Sequence, residues 1–203
     1  MEQEVIIFID GENFYRSIKE NCFNYLITEK DKRYVKSKEI KKNFDLKSFC
    51  KYLTRAETDK LKSIYYYDAR LGWEFKEEAR TEQNKFLKNL EKQGMKVRIG
   101  KVENKRQKGT DVFLATDLLT LAWKREFKLA ILVSNDKDFR PAIDYIQRNN
   151  RSSTVAIQYT HLFHGYCAVL GEICSRSMLL RNGEIFRFCS QELQAKWKPK
   201  PKN

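Results

Sequence analysis

The sequence predicts a doubly wound α/β domain, in which a parallel sheet carries helices on both faces. Short apolar runs at 5–9, 63–67, 95–99, 129–133 and 154–158 are strand-sized. Between them lie longer stretches whose apolar residues recur at spacings of three and four, the period of a helix with one buried face. Strict βαβα alternation then requires crossover connections, which are right-handed and place helices over the sheet. Helices are expected near 13–27, 46–56, 74–93, 111–124, 138–148 and 166–179. In the fourth of these, Phe113, Leu114, Leu118, Leu121 and Ala122 form an apolar stripe beside Asp111. Residues 183–188 read as a last edge strand.

A chain of 203 residues is long enough for one domain with a substantial core. That domain is expected over 1–190. Within it, residues 28–43 are charged and lysine-rich and read as a solvated insertion able to touch phosphates. Residues 191–203 form a basic tail whose Lys/Pro-rich end, from Lys196, should be disordered in isolation. Lys+Arg number 40 against 27 Asp+Glu, and the formal net charge of +13 attracts polyanions, nucleic acid above all. The longest apolar runs are too short to span a bilayer, so no membrane partner is expected. The acidic start, Met1-Glu2-Gln3-Glu4, is unlike a signal peptide, and the cytoplasm is the expected location. Five cysteines with no C-x-x-C pair argue against a disulfide framework and a zinc ribbon. With only two histidines, His161 and His164, catalysis should rest on carboxylates and bound metal. Oligomeric state is open, and a homo-oligomer is compatible with all of this.

The carboxylates fall at strand ends. Asp10 follows the apolar run Ile7-Phe8-Ile9, and Gly11 after it permits a tight turn into a helix. Asp136 and Asp138 follow Ile131-Leu132-Val133-Ser134-Asn135 in the same way, and Asp111 opens the helix before that strand. Ligands of open parallel sheets bind at this carboxyl edge. Taken singly, each Asp is well explained as a helix cap. Taken together, they concentrate negative charge in a basic protein, and a hard divalent cation such as Mg²⁺ or Mn²⁺ would offset it. Such an ion activates water and stabilises charge in phosphodiester hydrolysis.

The blocks Phe8-Ile9-Asp10-Gly11-Glu12-Asn13-Phe14, Lys108-Gly109-Thr110-Asp111-Val112 and Val133-Ser134-Asn135-Asp136-Lys137-Asp138-Phe139 resemble the signature motifs of the NYN-domain family, of the LabA-like kind, in the PIN-like nuclease superfamily. The resemblance covers roughly residues 4–180. It implies a Rossmann-like three-layer sandwich with strand order 3-2-1-4-5, making the first and fourth strands neighbours. It further implies that Asp10, Asp111 and Asp136 coordinate Mg²⁺ or Mn²⁺, that Asp138 lies beside them, and that Asn13 orients the site. Lys108, Ser134 and Lys137 become substrate-binding candidates, with Lys108 on a phosphate. The implied activity is endonucleolytic cleavage of RNA, single-stranded or structured. A non-catalytic RNA-binding or regulatory module with a degenerate metal site, or a structure-specific DNA nuclease, are the alternatives.

Other signals carry less. Asp117 should be structural, because it lies on another face of its helix. Asp68 either reaches the site from the second strand or caps a turn. The further acid that many PIN-like nucleases take from a helix before the third strand is not identifiable, with Glu77, Glu78 and Glu82 as candidates that equally suit a solvated face. His161, His164 and Cys167 lack a full ligand set for a metal. Tyr65-Tyr66-Tyr67 reads as core packing rather than a base-stacking platform. The start Asp10-Gly11-Glu12 lacks the D-x-D pattern of an aspartate-nucleophile phosphatase.

Overall fold

Five consecutive residues of the first strand, Val5 to Ile9, are almost wholly buried, which only a strand covered on both faces can be. In the computed structural model, which describes residues 2–24, 30–31, 34–103, 106–149, 155–162 and 166–196, this strand, β1 (Gln3–Asp10), is the centre of the sheet. The remaining strands are β2 (Asp59–Arg70), β3 (Lys96–Glu103), β4 (Arg106–Lys108), β5 (Leu129–Val133), β6 (Ala156–Leu162) and β7 (Arg176–Leu180). Their order is β4-β3-β2-β1-β5-β6-β7, all parallel except the short β3–β4 hairpin. The expected order of five strands is present as β3-β2-β1-β5-β6.

The two-residue period of the strands sorts side chains into two cores. Val5, Ile7 and Ile9 of β1 join Leu129, Ile131 and Val133 of β5 on one face. There they pack on α1 (Gly11–Ile18), α2 (Ser37–Asn43), α3 (Leu46–Leu53) and α4 (Glu77–Lys92), through Phe14, Ile18, Ile40, Phe49 and Leu87. Ile6 and Phe8, with Ala130 and Leu132, face the other side. That side is covered by α5 (Thr110–Trp123), α6 (Arg140–Asn149) and α7 (Ala168–Ile173), through Leu114, Leu118, Ile143, Ile146 and Leu170. Each buried Val, Leu, Ile or Phe contributes on the order of 1.5–3 kcal/mol, so β1 is the most heavily anchored element.

Five expectations need correction. The insertion is not merely solvated: its described part contains α2, with Val35 and Ile40 fully buried. The helix expected over 166–179 stops at Ile173, because Arg176–Leu180 alternates half-buried and exposed residues and pairs with β6 as the true edge strand. Residues 183–188 are then mostly helical, in α8 (Asn182–Phe186), where the Glu184 carboxylate accepts the Arg181 backbone N–H at 2.7 Å. The first residues of the expected tail form a helical turn, α9 (Gln191–Gln194), capped by Ser190 and seated by buried Leu193. Residues 197–203 lie outside the described residues. Phe113, placed on the apolar stripe by spacing, is 46% exposed. Among the described residues no helix is long and apolar enough to cross a membrane.

Candidate active site

Strand parity decides which acids meet. Asp10 shares the face of Ile6 and Phe8, and Ser134, one residue past β5, shares that of Leu132. Since β1 and β5 are neighbours in register, with Ile9 opposite Val133, the two side chains touch: Ser134 Oγ donates to Asp10 Oδ2 at 2.9 Å. The other Asp10 oxygen accepts the Asn13 backbone N–H at 3.2 Å, so Asp10 also caps α1. Ser134 Oγ accepts in turn from the Asp136 N–H at 3.1 Å, and Asp136 Oδ1 caps the following 3₁₀ turn through the Asp138 N–H at 2.9 Å. A continuous chain of hydrogen bonds therefore runs from Asp10 through Ser134 to Asp136 and Asp138.

Asn13 ties the two strand ends together. Its side-chain oxygen accepts the Asn135 N–H at 3.0 Å. Asn135 is held from both sides, donating to Ser17 Oγ at 3.1 Å and accepting from the Tyr159 hydroxyl at 3.1 Å. Sequence reading missed Asn135, Ser17 and Tyr159. Only the position of Asn135 between Ser134 and Asp136 signalled a role, and the reach of Tyr159 from β6 has no sequence mark.

Burial and like charge act together on Asp10. Its side chain is almost inaccessible, and burial raises the carboxyl; hydrogen bonds to Ser134 and Asn13 oppose this, the charges of Asp111 and Asp136 add to it, and the net result is about 7. Capping is thus real but does not win. Burial also raises Asp111, reinforced by the charges of Asp136, Asp138 and Glu12. Asp111 sits in the first turn of α5 behind Gly109, whose φ of 82° is the left-handed conformation that glycine tolerates. The adjacent Thr110 Oγ1 is buried without a hydrogen-bond partner.

The structure thus brings Asp10, Asn13, Ser134, Asp136 and Asp138 into one bonded network, with Asp111 in its field. Lys137 is exposed on the 3₁₀ turn. The backbone of Lys108 ends β4, while its side chain lies outside the described residues. Asp117 has the structural contacts expected of it, accepting from the Tyr67 hydroxyl at 3.0 Å and Arg98 Nε at 3.1 Å. Asp68 turns to the opposite face with Tyr66, whose hydroxyl donates to it at 3.1 Å. There it also meets Lys41 of α2 at 2.6 Å. Glu77 and Glu78 are exposed at the start of α4, and Glu82 pairs with Lys38 at 3.7 Å. The acids acting on Asp111 are instead Asp138 and Glu12, beside Asp136. His161 is buried, with its Nδ1 3.3 Å from the Leu162 carbonyl, and burial lowers its basicity. His164 lies outside the described residues.

The donors at this edge are carboxylate, amide and hydroxyl oxygens, a set that suits a hard divalent cation. Unneutralised repulsion among Asp10, Asp111 and Asp136, and the orphaned Thr110 hydroxyl, fit the same reading. Yet among the described residues no three His, Cys, Asp or Glu side chains gather closely enough to hold an ion by themselves.

A doubly wound α/β sheet with Asp10 and Asp136 at the adjoining carboxyl ends of β1 and β5 is consistent with the PIN-like architecture. The NYN domain profile matches residues 4–164, most of the chain, and the protein belongs to the NYN-domain family of the PIN-like superfamily, whose members are generally nucleases. Divalent metals are typical of that group. Among solved structures, the chain is similar to a protein of unknown function from Vibrio parahaemolyticus, at 18% identity and a TM-score of 0.59, over 88% of this chain and 93% of that one. That likeness concerns the fold. No curated protein matches the chain in sequence.

Proposed function

We propose that the protein is a Mg²⁺- or Mn²⁺-dependent ribonuclease that hydrolyses RNA phosphodiester bonds endonucleolytically in the cytoplasm, as its LabA-like motifs suggest. The observation that carries this reading is the buried Asp10 carboxyl at the switch point of the sheet, joined through Ser134 to Asp136, where burial and the charges of Asp111 and Asp136 together hold it up at about 7. A buried group that repels its neighbours is costly, and such strain concentrates at functional sites.

Asp10, Asp111 and Asp136 would hold the ion. When bound, a divalent ion supplies Lewis-acid chemistry, activating water and offsetting charge on the leaving oxygen. The chain's own residues supply position. Ser134 and the Asn13 N–H fix the rotamer of Asp10, and the Asn13–Asn135 bond locks the β1 turn to the β5 turn. Asp138, exposed and adjacent to Asp136, faces solvent where it can take a proton from water. Lys108 and Lys137 supply positive charge for scissile phosphate oxygens.

Purified Asp10→Asn and Asp136→Asn variants should each lose at least about 100-fold in Mn²⁺-dependent cleavage of single-stranded RNA, the range seen when a charge-stabilising group is removed. Unchanged turnover in both would end the proposal. Matched DNA substrates should be cut more slowly, and equal rates would point to a DNA nuclease. A second reading, RNA binding without turnover, is favoured by the absence of a ready three-acid cage among the described residues. Salt-sensitive binding with no cleavage at saturating Mn²⁺ would support it.

A further inference from the structure

On the helix-covered face away from Asp10, α1, α2 and α4 leave between them a cleft of about 1300 Å³. Pockets for single small molecules run to roughly 300–1,000 Å³. The cleft approaches the carboxylate edge at Glu12, one of its lining residues, whose charge acts on Asp111. Arg16, Lys38, Lys42 and Lys85 line it and are exposed. Among the described residues no carboxylate lies within ion-pair distance of Arg16, Lys42 or Lys85, and the Lys38–Glu82 pair at 3.7 Å is solvent-exposed on both sides. Exposed pairs of this kind are worth little and yield readily to a phosphate. Lys41, by contrast, is committed to Asp68 and holds α2 in place.

The cleft also has apolar character. Leu71, Phe75 and Phe86 line it, and the Tyr15 hydroxyl at its floor is buried without a hydrogen-bond partner. Trp73 does not line the cleft but lies in the chain between Leu71 and Phe75, which do, and it is 87% exposed. A large aromatic so placed loses nothing by stacking on an unpaired base, and every base has a face to offer. A duplex hides its base faces and presents only phosphates.

We propose that this cleft seats the single-stranded RNA segment adjoining the scissile bond, with Arg16, Lys38, Lys42 and Lys85 on its phosphates and Trp73 stacked on a base. The proposal rests on the ribonuclease reading for its choice of RNA, and it gives the lysine-rich insertion a role: α2 is one wall of the cleft.

Binding of a fluorescent single-stranded RNA oligonucleotide to the full chain, measured by anisotropy in EDTA, separates this from catalysis. The K42E/K85E double variant should lose at least about 10-fold in affinity, and its log–log salt slope should fall by about 1.4 if both lysines contact a single strand. W73A should lose about 5-fold or more with its salt slope unchanged. K60E/K128E, the same charge change at the far edge of the sheet, should stay within about 2-fold, with thermal melts confirming that all variants fold. Equal losses in the two double variants, an unaffected W73A, tighter binding of duplex than single strand, or no binding by the unaltered chain would each overturn the cleft. Binding that follows the expected pattern, with no cleavage once Mn²⁺ is added, would overturn the ribonuclease reading and leave the cleft standing.

Discussion

At the residue scale, Asp10 sets two opposing demands on one side chain. Its cap and its bond to Ser134 favour the carboxylate, whereas burial and like charge favour the acid, and the second pair wins. The sign for stability follows directly. Because the folded carboxyl keeps its proton up to about 7 against an ordinary 3.8, the native state binds more protons between those values, and stability falls as pH rises through that window. In chelator, Asp10→Asn should therefore match the parent near pH 4 and exceed it above pH 7, by an upper bound of about 4 kcal/mol. Urea denaturation across pH would show it, and a variant less stable than the parent at pH 8 would refute it. Mn²⁺ should raise the melting temperature of the parent more at pH 8 than at pH 5, since protons compete for the same oxygens. Gly11 has a different constraint. A Cβ there would lie 2.2 Å from the Tyr66 hydroxyl and 2.4 Å from its Cζ. Gly11→Ala should cost about 1–3 kcal/mol, and Tyr66→Phe should not rescue it because the ring carbon still collides.

At the scale of elements, α2 is fastened to the sheet by one inward charge. Lys41 reaches Asp68, which is 2% exposed, while Ile40 beside it is fully buried. Removing a partner from a buried pair costs about 3–5 kcal/mol, and the partial exposure of Lys41 lowers that. Lys41→Ala should destabilise by about 1–3 kcal/mol in chemical denaturation and loosen amide exchange in Ser37–Asn43 before the rest of the chain. Uniform loosening across all helices would contradict the local anchoring. On the opposite face, Leu118→Ala in α5 should cost about 2–5 kcal/mol, because Leu118 is wholly buried between the helix and the strands carrying Phe8 and Leu132.

At the scale of the whole molecule, a net charge of +13 surrounds an acidic edge. Long-range attraction draws a polyanion in, but that edge repels phosphate unless cations intervene. RNA binding should therefore weaken steeply with salt and, at fixed ionic strength, tighten when millimolar Mg²⁺ is supplied to the parent. At pH 8, above the value near 7 at which Asp10 loses its proton, Asp10→Asn should bind RNA better than the parent in chelator, because one repulsive charge is gone, and gain less from Mg²⁺. A parent whose affinity ignores Mg²⁺ at constant ionic strength would argue against an ion at the edge.

Much was legible because it is local. The apolar runs marked the five strands of the inner sheet, and Asp10-Gly11 and Ser134-Asn135-Asp136 marked their carboxyl ends, since a strand that is buried on both faces must be apolar throughout and must stop at a polar turn. The motif blocks carried the family. Tertiary structure alone decided the rest. β7 was read as helix because a half-exposed edge strand has no continuous apolar run, and its identity comes from hydrogen bonds to β6. Burial of Ile40 and the grip of Lys41 on Asp68 turned an apparently solvated lysine-rich stretch into a wall of the cleft. Asp68 and Asp10 lie near the carboxyl ends of neighbouring strands, yet a two-residue period sends them to opposite faces. Which acids share a field, and which lysines stand free, depends on distances between residues far apart in the chain, and those are set only when the two cores close around β1.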